Sequence, residues 1–345
     1  MKKKSILMAS LAVLAMASCS NDETIEISKS RAIDFRTTMQ TRGVEVNTSN
    51  LAKFKAVCIV NGERYFGDDF TKSGAFFTSE AIHNWLDKKS VHTFYAFAPF
   101  DAAEDNTIQK DKQEIVGFSP KKDVKQQLDL VTATATGTQQ ANSSTGVPLT
   151  FEHALSQIEV QAKNANPNYT YKVAGVRFGK PVSQGTFDLA AKKWTLSDSE
   201  KTNYEFVYDN SPVELNNVAK SLMFDNGNAM LLPQQLTGWD SSTDKTNSKT
   251  GAYLSVKIQI TAKSGMRIFP KQNADEYGWA SIALDTNWEA GKKYVYTLDF
   301  TNGAGKKDPD TKPEEEAGED ILGEPIKFTV EVKQWEEAPA QNKDM

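Results

Sequence analysis

The stretch Ile326-Lys-Phe-Thr-Val-Glu-Val-Lys333 alternates strictly between apolar and polar side chains. Successive side chains of a β-strand point to opposite faces of its sheet, so the apolar residues of this stretch would share one face. The pattern therefore predicts one complete β-strand near the carboxyl terminus. Its apolar face would consist of Ile326, Phe328, Val330 and Val332.

Short runs of this kind recur along the rest of the chain. They are rich in Val, Ile, Thr, Tyr and Phe, which pack well on a pleated sheet, and Gly, Asn, Asp and Pro separate them. No long amphipathic helix is predicted. We therefore expect an all-β protein, and the strand spacing is typical of a sandwich or a barrel. The clearest predicted strands span residues 33–36, 54–60, 93–98, 128–133, 156–162, 171–178, 204–208, 253–262 and 294–300.

The 345 residues exceed what one hydrophobic core usually spans, which indicates two domains. The stretch Asn164-Ala-Asn-Pro-Asn168 divides the chain roughly in half and cannot continue a central strand. We predict an N-terminal domain over residues 43–165 and a C-terminal domain over residues 166–301. Residues 302–320 are rich in Pro, Gly and acidic side chains, which predicts an acidic flexible linker before a C-terminal strand segment at 321–345.

The amino terminus has the features of an export signal. Lysines at positions 2–4 precede an apolar stretch over residues 6–16, and small residues then lead to Cys19. This apolar stretch is too short to span a membrane by itself. We predict a signal peptide over residues 1–18 and lipidation of Cys19, with a plain secretory signal as the alternative.

After lipidation of Cys19, Cys58 is the only remaining thiol, so no intrachain disulfide is expected. Cys58 lies in an apolar predicted strand, which favours a buried, inert side chain over a nucleophile. The formal net charge is −5, and most of the acidity falls within residues 306–320. The remainder is close to neutral, so we predict no basic face for nucleic acid.

No catalytic or metal-binding motif occurs in the sequence. His83, His92 and His153 have no partner at metal-ligand spacing, and nucleophile-elbow and glycine-rich nucleotide motifs are absent. Glu152 and His153 are adjacent in a predicted strand and would point to opposite faces, which argues against an acid/base pair. We therefore predict a protein that is not an enzyme, with no catalytic residue, no metal and no cofactor.

Several short motifs follow one another in a specific order along the chain. In this order they resemble the fimbrillin-like family of Bacteroidetes, and the resemblance covers nearly the whole mature chain. It implies two transthyretin-like β-sandwich domains. It also implies export to the cell surface as an outer-membrane lipoprotein precursor, anchored in lipid through acylated Cys19. The motifs are Phe94-Tyr-Ala-Phe-Ala-Pro99, Phe151-Glu-His-Ala-Leu-Ser-Gln-Ile-Glu-Val160, Met230-Leu-Leu-Pro-Gln-Gln235 and Trp288-Glu-Ala-Gly-Lys-Lys-Tyr-Val-Tyr-Thr-Leu298.

The resemblance further implies a stalk or tip subunit of fimbriae that support adhesion and biofilm formation. The N-terminal extension, residues 19–42, would be removed by an arginine-specific or trypsin-like protease, and Arg42 is the matching cleavage position. Removing an early strand, about residues 24–35, would leave a groove with unpaired backbone groups. The C-terminal strand at 326–332 is then the natural donor to the next subunit, head to tail. Host or bacterial surface receptors are further expected partners.

Two alternatives remain open at this stage. The C-terminal strand could instead fold back as the last strand of its own domain, which would suit a terminal subunit. The protein could also be a surface lipoprotein that binds glycans. Trp239 and Trp279 lie in or beside turn-like stretches and are the candidates for stacking on sugar rings, although packing in a core is the commoner use of tryptophan.

Overall fold

A computed structural model describes residues 31–39, 51–103, 107–208, 212–223, 227–242, 251–271, 276–310 and 316–335. The predicted signal peptide, Cys19 and Arg42 lie outside these residues. The prediction of an all-β protein is confirmed, because the described helices are only α1 (Gln139–Asn142) and a 3₁₀ turn at Val124–Gln126. No described helix is long and apolar enough to span a membrane.

The described residues form 24 strands, numbered in chain order. They are β1 (Phe35–Met39), β2 (Lys53–Val60), β3 (Glu63–Ser73), β4 (Phe76–Ser79), β5 (His92–Ala98), β6 (Ile108–Gln109), β7 (Lys112–Phe118), β8 (Val131–Gly137), β9 (Val147–His153), β10 (Ser156–Lys163), β11 (Tyr169–Gly179), β12 (Gly185–Asp188), β13 (Lys193–Leu196), β14 (Tyr204–Val207), β15 (Val213–Glu214), β16 (Lys220–Ser221), β17 (Ala229–Leu231), β18 (Tyr253–Ala262), β19 (Arg267–Phe269), β20 (Gly278–Ala283), β21 (Lys292–Asp299), β22 (Gly303–Lys307), β23 (Asp320–Gly323) and β24 (Lys327–Gln334).

The first domain is a closed ring of seven strands in the order β1-β4-β3-β2-β5-β8-β9. The ring closes because β1 pairs in parallel with β9 and antiparallel with β4. All seven strands contribute buried side chains to one core, and phenylalanine dominates it. Alternate side chains of a strand point to the same face, and in β2 this places Phe54, Ala56 and Cys58 in the core of the ring.

The second domain consists of two sheets that enclose one core. One sheet runs β16-β10-β21-β24 with β17 beside β10, and the other runs β14-β11-β18-β20-β22-β23. Buried residues of both sheets meet in a single cluster, for example Ile158 and Tyr296 of the first sheet with Val176 and Val256 of the second. This is the layered arrangement expected of a β-sandwich.

The two domains are joined by a small sheet and a shared apolar cluster. Strand β7 pairs with β12, so hairpins from the two halves of the chain form the sheet β13-β12-β7-β6. Beside it lies a cluster that includes Phe97, Ile115, Leu155, Phe187 and Trp335. Burial of this apolar surface fixes the domains against each other.

The junction between the domains lies earlier than the predicted boundary at residue 165. Strand β10 (Ser156–Lys163) pairs with β16, β17 and β21, all in the second domain. The Asn- and Pro-containing stretch that suggested the boundary is a turn between β10 and β11, where the Asn164 side chain donates to the carbonyl groups of Asn166 and Tyr169. Asn and Pro mark any turn, so they do not by themselves mark a change of domain.

The predicted flexible linker at 302–320 is wrong for its described part, because β22 and the start of β23 lie in it. Asp308 is fully buried, and its carboxylate accepts hydrogen bonds from Arg177 at 3.0 Å and Ser255 at 2.5 Å. Lys307 forms ion pairs with Glu316 and Glu319. The charged side chains that led to the prediction of a flexible linker are thus paired with opposite charges.

Candidate functional site

Strand β1 closes the ring of the first domain, and its buried aromatic side chain is Phe35. The Phe35 ring meets three neighbouring rings edge-on, with centroid distances of 4.7 Å to Phe70, 5.1 Å to Phe94 and 5.7 Å to Phe54. Edge-on aromatic pairs stabilise a core beyond the burial of apolar area. Ile33, just before β1, is also buried. The N-terminal strand therefore fills an aromatic pocket in the centre of this domain.

Strand β1 is hydrogen-bonded on both sides. It pairs with β4 at Phe35 and with β9 over five residue pairs, from Phe35–Val147 to Met39–Phe151. The hydroxyl oxygens of Thr38 and Thr150 are 3.1 Å apart on the outer side of this parallel ladder. A ring without β1 would present unpaired backbone groups on both neighbours, and such edges accept an extended strand.

Strand β24 is folded back onto its own domain in this structure. It pairs antiparallel with β21 along its whole length, from Lys292–Gln334 to Asp299–Lys327. Within the described part of the chain, no strand pairs with its other edge. Of the two arrangements that the sequence left open, the structure adopts the one in which the C-terminal strand completes its own sheet.

The apolar face of β24 is only partly covered. Ile326 is 5 % exposed, whereas Phe328 is 40 % and Val332 is 54 % exposed, and Val330 is half-buried. Of the four side chains predicted to form the apolar face, only Ile326 is buried. The strand lies at the edge of its sheet, with Ile326 in the core of the second domain and Val330 packed against that core. Exposed apolar side chains on an unpaired edge are a typical site for pairing with another chain.

The segments around β1 and β24 share an isoleucine and a phenylalanine at alternate positions. Ile33, Phe35 and Thr37 occupy alternate positions in the first segment, and Ile326, Phe328 and Val330 occupy alternate positions in the second. Each segment thus presents an isoleucine, a phenylalanine and a β-branched residue on one face. The two segments thus present similar side chains in the same order along one face.

Trp335 follows β24 and anchors its end between the two domains. Its ring stacks on His153, with centroids 4.0 Å apart and planes 9° apart, and the ring is 1 % exposed. His153 Nδ1 lies 2.5 Å from Asp129 Oδ2 in a fully buried pair. Burial raises the pKa of the Asp129 carboxyl, although the hydrogen bond with His153 acts in the opposite direction. This contact was not predictable from the sequence, because its members are far apart along the chain.

The two tryptophans proposed for sugar stacking do not form an exposed pair. Trp239 is 5 % exposed. The guanidinium carbon of Arg177 lies 4.2 Å from the centroid of the Trp279 ring and covers one of its faces. This geometry gives the predicted stacking role no support and matches the alternative of packing.

Each of the three histidines has a hydrogen-bond partner within the protein, and Cys58 is buried. His83 contacts Asp68 at 2.9 Å, and His92 Nδ1 lies 3.0 Å from the Ser90 carbonyl oxygen. The described residues contain no group of three or more potential metal ligands from His, Cys, Asp and Glu. Cys58 is buried as predicted, and burial raises the pKa of its thiol.

Comparison with known proteins identifies the family. A family model described as fimbrillin-like matches residues 30–335. The fold is similar to that of a fimbrial protein from Bacteroides vulgatus, with a TM-score of 0.56 and 17% identity over 88% of this chain and 99% of that one. It is also similar to a fimbrilin from Porphyromonas gingivalis, with a TM-score of 0.52 and 11% identity over 90% and 98%. A search of curated proteins finds no match. The chain belongs to the fimbrillin-like family.

Proposed function

We propose that this protein is a structural subunit of cell-surface fimbriae and that it assembles by strand exchange. In this process β24 of one copy takes the place of β1 in the first domain of the next copy. The observation that carries the proposal is the contrast between two phenylalanines. Phe35 is buried in an aromatic pocket, whereas Phe328, at the matching position of β24, is 40 % exposed on an unpaired edge.

Processing prepares the acceptor in this proposal. The chain is exported as a lipoprotein, with acylated Cys19 holding it in the outer-membrane lipid. An arginine-specific or trypsin-like protease then hydrolyses the peptide bond after Arg42. From that point β1 is held by its hydrogen bonds and side-chain contacts alone, so a competing strand can displace it.

The shared spacing supports a specific register for the exchange. With Ile326 in the position of Ile33, Phe328 enters the pocket of Phe35 and Val330 takes the position of Thr37. The polar residues of β24 then face outward, as Arg36 and Thr38 do in β1. Donor and acceptor surfaces differ, so the contact does not close on itself and generates a filament.

A pair of single substitutions tests this proposal. Phe328→Asp changes a side chain that is partly exposed in the folded subunit, so the free protein should still fold. In a filament the same carboxylate would be buried among aromatic rings without a partner, which is strongly unfavourable. We expect Arg42-cleaved wild-type protein to polymerise, as measured by light scattering and electron microscopy, and cleaved Phe328→Asp protein to remain monomeric.

The matched control is Thr329→Asp, which places the same charge on the exposed, outward face of β24. It should polymerise like the wild type. Arg42→Ala protein, which the protease cannot cleave at this position, should stay monomeric. Equal polymerisation of the Phe328→Asp and Thr329→Asp proteins would reject the donor role of β24.

Adhesion to host or bacterial surface receptors and support of biofilm formation complete the proposal, with a structural rather than a catalytic role. The alternative of a glycan-binding lipoprotein lacks a specific supporting observation, because Trp239 is buried and Trp279 is covered on one face. The folded-back β24 is also compatible with a terminal subunit at the tip or the anchor, which the polymerisation assay separates from a stalk subunit.

A further inference from the structure

Trp335 fills a pocket between the two domains, and packing rather than hydrogen bonding holds its ring there. The residue is 1 % exposed, and its ring stacks on His153 with centroids 4.0 Å apart. It belongs to the apolar cluster that also includes Ala154, Leu155 and Phe187. The indole nitrogen has no hydrogen-bond partner within the described residues. We call His153 and these three cluster residues the Trp pocket, which suits a tryptophan side chain because it already holds one.

The register proposed for strand exchange brings the same side chain of a second copy to this pocket. In that register Val332 of the donor takes the position of Met39, which pairs with Phe151 of β9 in a parallel ladder. Three residues further along both strands, Trp335 of the donor falls opposite Ala154. Neighbouring strands lie about 5 Å apart, so the donated tryptophan arrives within reach of the acceptor's Trp pocket.

The backbone of β9 keeps its strand pairing as far as this point. On the side that faces β8, His153 pairs with Val131, and the amide of Ala154 then donates to the carbonyl oxygen of Leu130 at 2.8 Å. A backbone that still pairs like a strand on one side can continue a ladder on its other side. A donor strand longer than β1 can therefore extend the parallel ladder to Ala154.

The faces of the two strands also agree. Phe151 belongs to the core of the ring, whereas Ala154, an odd number of positions later, belongs to the cluster between the domains. Trp335 is likewise an odd number of positions after Phe328. Because successive side chains of a strand alternate between faces, Trp335 points away from the ring core when Phe328 points into it. The donated tryptophan then lies on the same side of the ladder as Ala154.

We propose that the Trp pocket of each cleaved subunit receives Trp335 of the neighbouring copy when that copy donates β24. This inference rests on the proposed function, because it uses the same donor strand and register. In the folded-back subunit the pocket holds the chain's own tryptophan, and donation of β24 empties it. The tryptophan of the incoming strand refills it, so each subunit within a filament keeps a ring stacked on His153 between its two domains. The two tryptophans exclude each other, because both occupy the same stack.

Peptide binding to two monomeric acceptors tests this inference. One acceptor is Arg42-cleaved Phe328→Asp protein, whose own tryptophan fills the Trp pocket. The other is Arg42-cleaved Phe328→Asp/Trp335→Ala protein, whose pocket is empty. The probes are a fluorescein-labelled peptide of residues 324–335, amidated at its carboxyl end, and the same peptide with Trp335→Ala. Fluorescence anisotropy measures the four dissociation constants.

The expected result is a tryptophan effect that depends on the acceptor. The tryptophan peptide should bind the empty-pocket acceptor roughly thirtyfold more tightly than the alanine peptide, as is typical of a tryptophan buried in an interface. With the filled-pocket acceptor the two peptides should differ by less than about threefold, because the acceptor's own ring occupies the site. Equal ratios for the two acceptors would overturn the inference, since the tryptophan would then bind elsewhere.

A peptide with Phe328→Ala is the matched control. Its missing ring belongs in the core of the first domain rather than in the Trp pocket, so its loss of affinity should be the same with both acceptors. A loss that differs between them would overturn the inference, because it would show that the groove itself differs. If the empty-pocket acceptor fails to fold, Phe328→Asp/Trp335→Leu protein removes the indole ring more mildly and is compared in the same way.

These outcomes are separable from the fate of the proposed function. If no peptide binds either cleaved acceptor, assembly by strand exchange is rejected and the inference falls with it. If the tryptophan and alanine peptides bind the empty-pocket acceptor equally well, strand exchange stands and the role of Trp335 in it is rejected.

Discussion

The segments around strands β1 and β24 share the order isoleucine, phenylalanine and β-branched residue on one face, but their surroundings differ. β1 lies between β4 and β9, and its Phe35 is fully buried. β24 has β21 as its one neighbour within the described residues, and its Phe328 is 40 % exposed. Alternation determines which side chains share a face, but the number of neighbouring strands determines whether that face is covered. Two segments with similar side-chain patterns can therefore differ in burial, one enclosed by neighbouring strands and the other partly exposed at a sheet edge.

The largest expected effect is a difference in stability between variants at Phe35 and Phe328. Phe35→Ala should lower the free energy of unfolding by about 4 kcal/mol, because a fully buried aromatic side chain leaves a cavity. Phe328→Ala should cost only about 1 kcal/mol, since much of that ring is already in water. Denaturant unfolding of each variant measures the difference. Similar losses for the two variants would mean that the exposed state of β24 does not represent the protein in solution.

Asp308→Ala tests how much the buried contacts of Asp308 stabilise the segment before β24. We expect a loss of about 3 kcal/mol, because the substitution leaves Arg177 without its buried partner. Asp320→Ala is the control, since Asp320 is 74 % exposed in its ion pair with Lys306 and such pairs contribute little. Thermal unfolding compares them. A small effect for Asp308→Ala would support the flexible linker that the sequence suggested.

Trp335→Ala tests the anchored end of β24. We expect a loss of about 2 kcal/mol, less than for a central core residue because the strand end can detach without unfolding the domain. Val332→Ala, a 54 % exposed position on the same strand, should change stability by less than about 0.5 kcal/mol. The measurement is urea unfolding followed by far-UV circular dichroism. Equal effects of the two substitutions would contradict anchoring by Trp335.

The smallest expected effect concerns pH. Burial by itself would raise the pKa of Asp310, but hydrogen bonds from Asn203 and Tyr253 and the charge of Lys180 lower it overall. A carboxyl whose folded pKa is depressed contributes stability above its unfolded pKa and loses it as pH falls through the folded pKa. Asp310→Asn should therefore flatten the loss of stability below about pH 4, as measured by unfolding across pH. An unchanged acid limb would contradict this assignment.

The sequence was sufficient for local features and insufficient for contacts between distant residues. Alternation at 326–333 predicted a strand, and β24 covers Lys327–Gln334. This prediction needs only the order of neighbouring residues along the chain. The stack of Trp335 on His153 was not predictable, because it depends on how two domains pack. The linker prediction at 302–320 failed for its described part for a similar reason, since the partners of Asp308, namely Arg177 and Ser255, come from other strands.

The arginine cleavage position, lipidation of Cys19 and donation of β24 to another copy stay predictions. The first two fall on residues outside the described part of the chain. The third requires a second subunit. What the structure adds is a geometric criterion for the third, because the register proposed for the replacement of β1 by β24 can be tested by chemical trapping.

Disulfide trapping between copies is the most direct test of the central claim. In the proposed register Glu331 takes the place of Thr38, whose hydroxyl oxygen is 3.1 Å from that of Thr150. Within one folded-back subunit Glu331 instead lies opposite Val295 of β21. Arg42-cleaved Thr150→Cys/Glu331→Cys protein should give a ladder of disulfide-linked oligomers on a non-reducing gel. Thr150→Cys/Val330→Cys, with the second cysteine on the opposite face, should give none. Assembled filaments with no such ladder, or equal ladders from both double variants, would contradict the account.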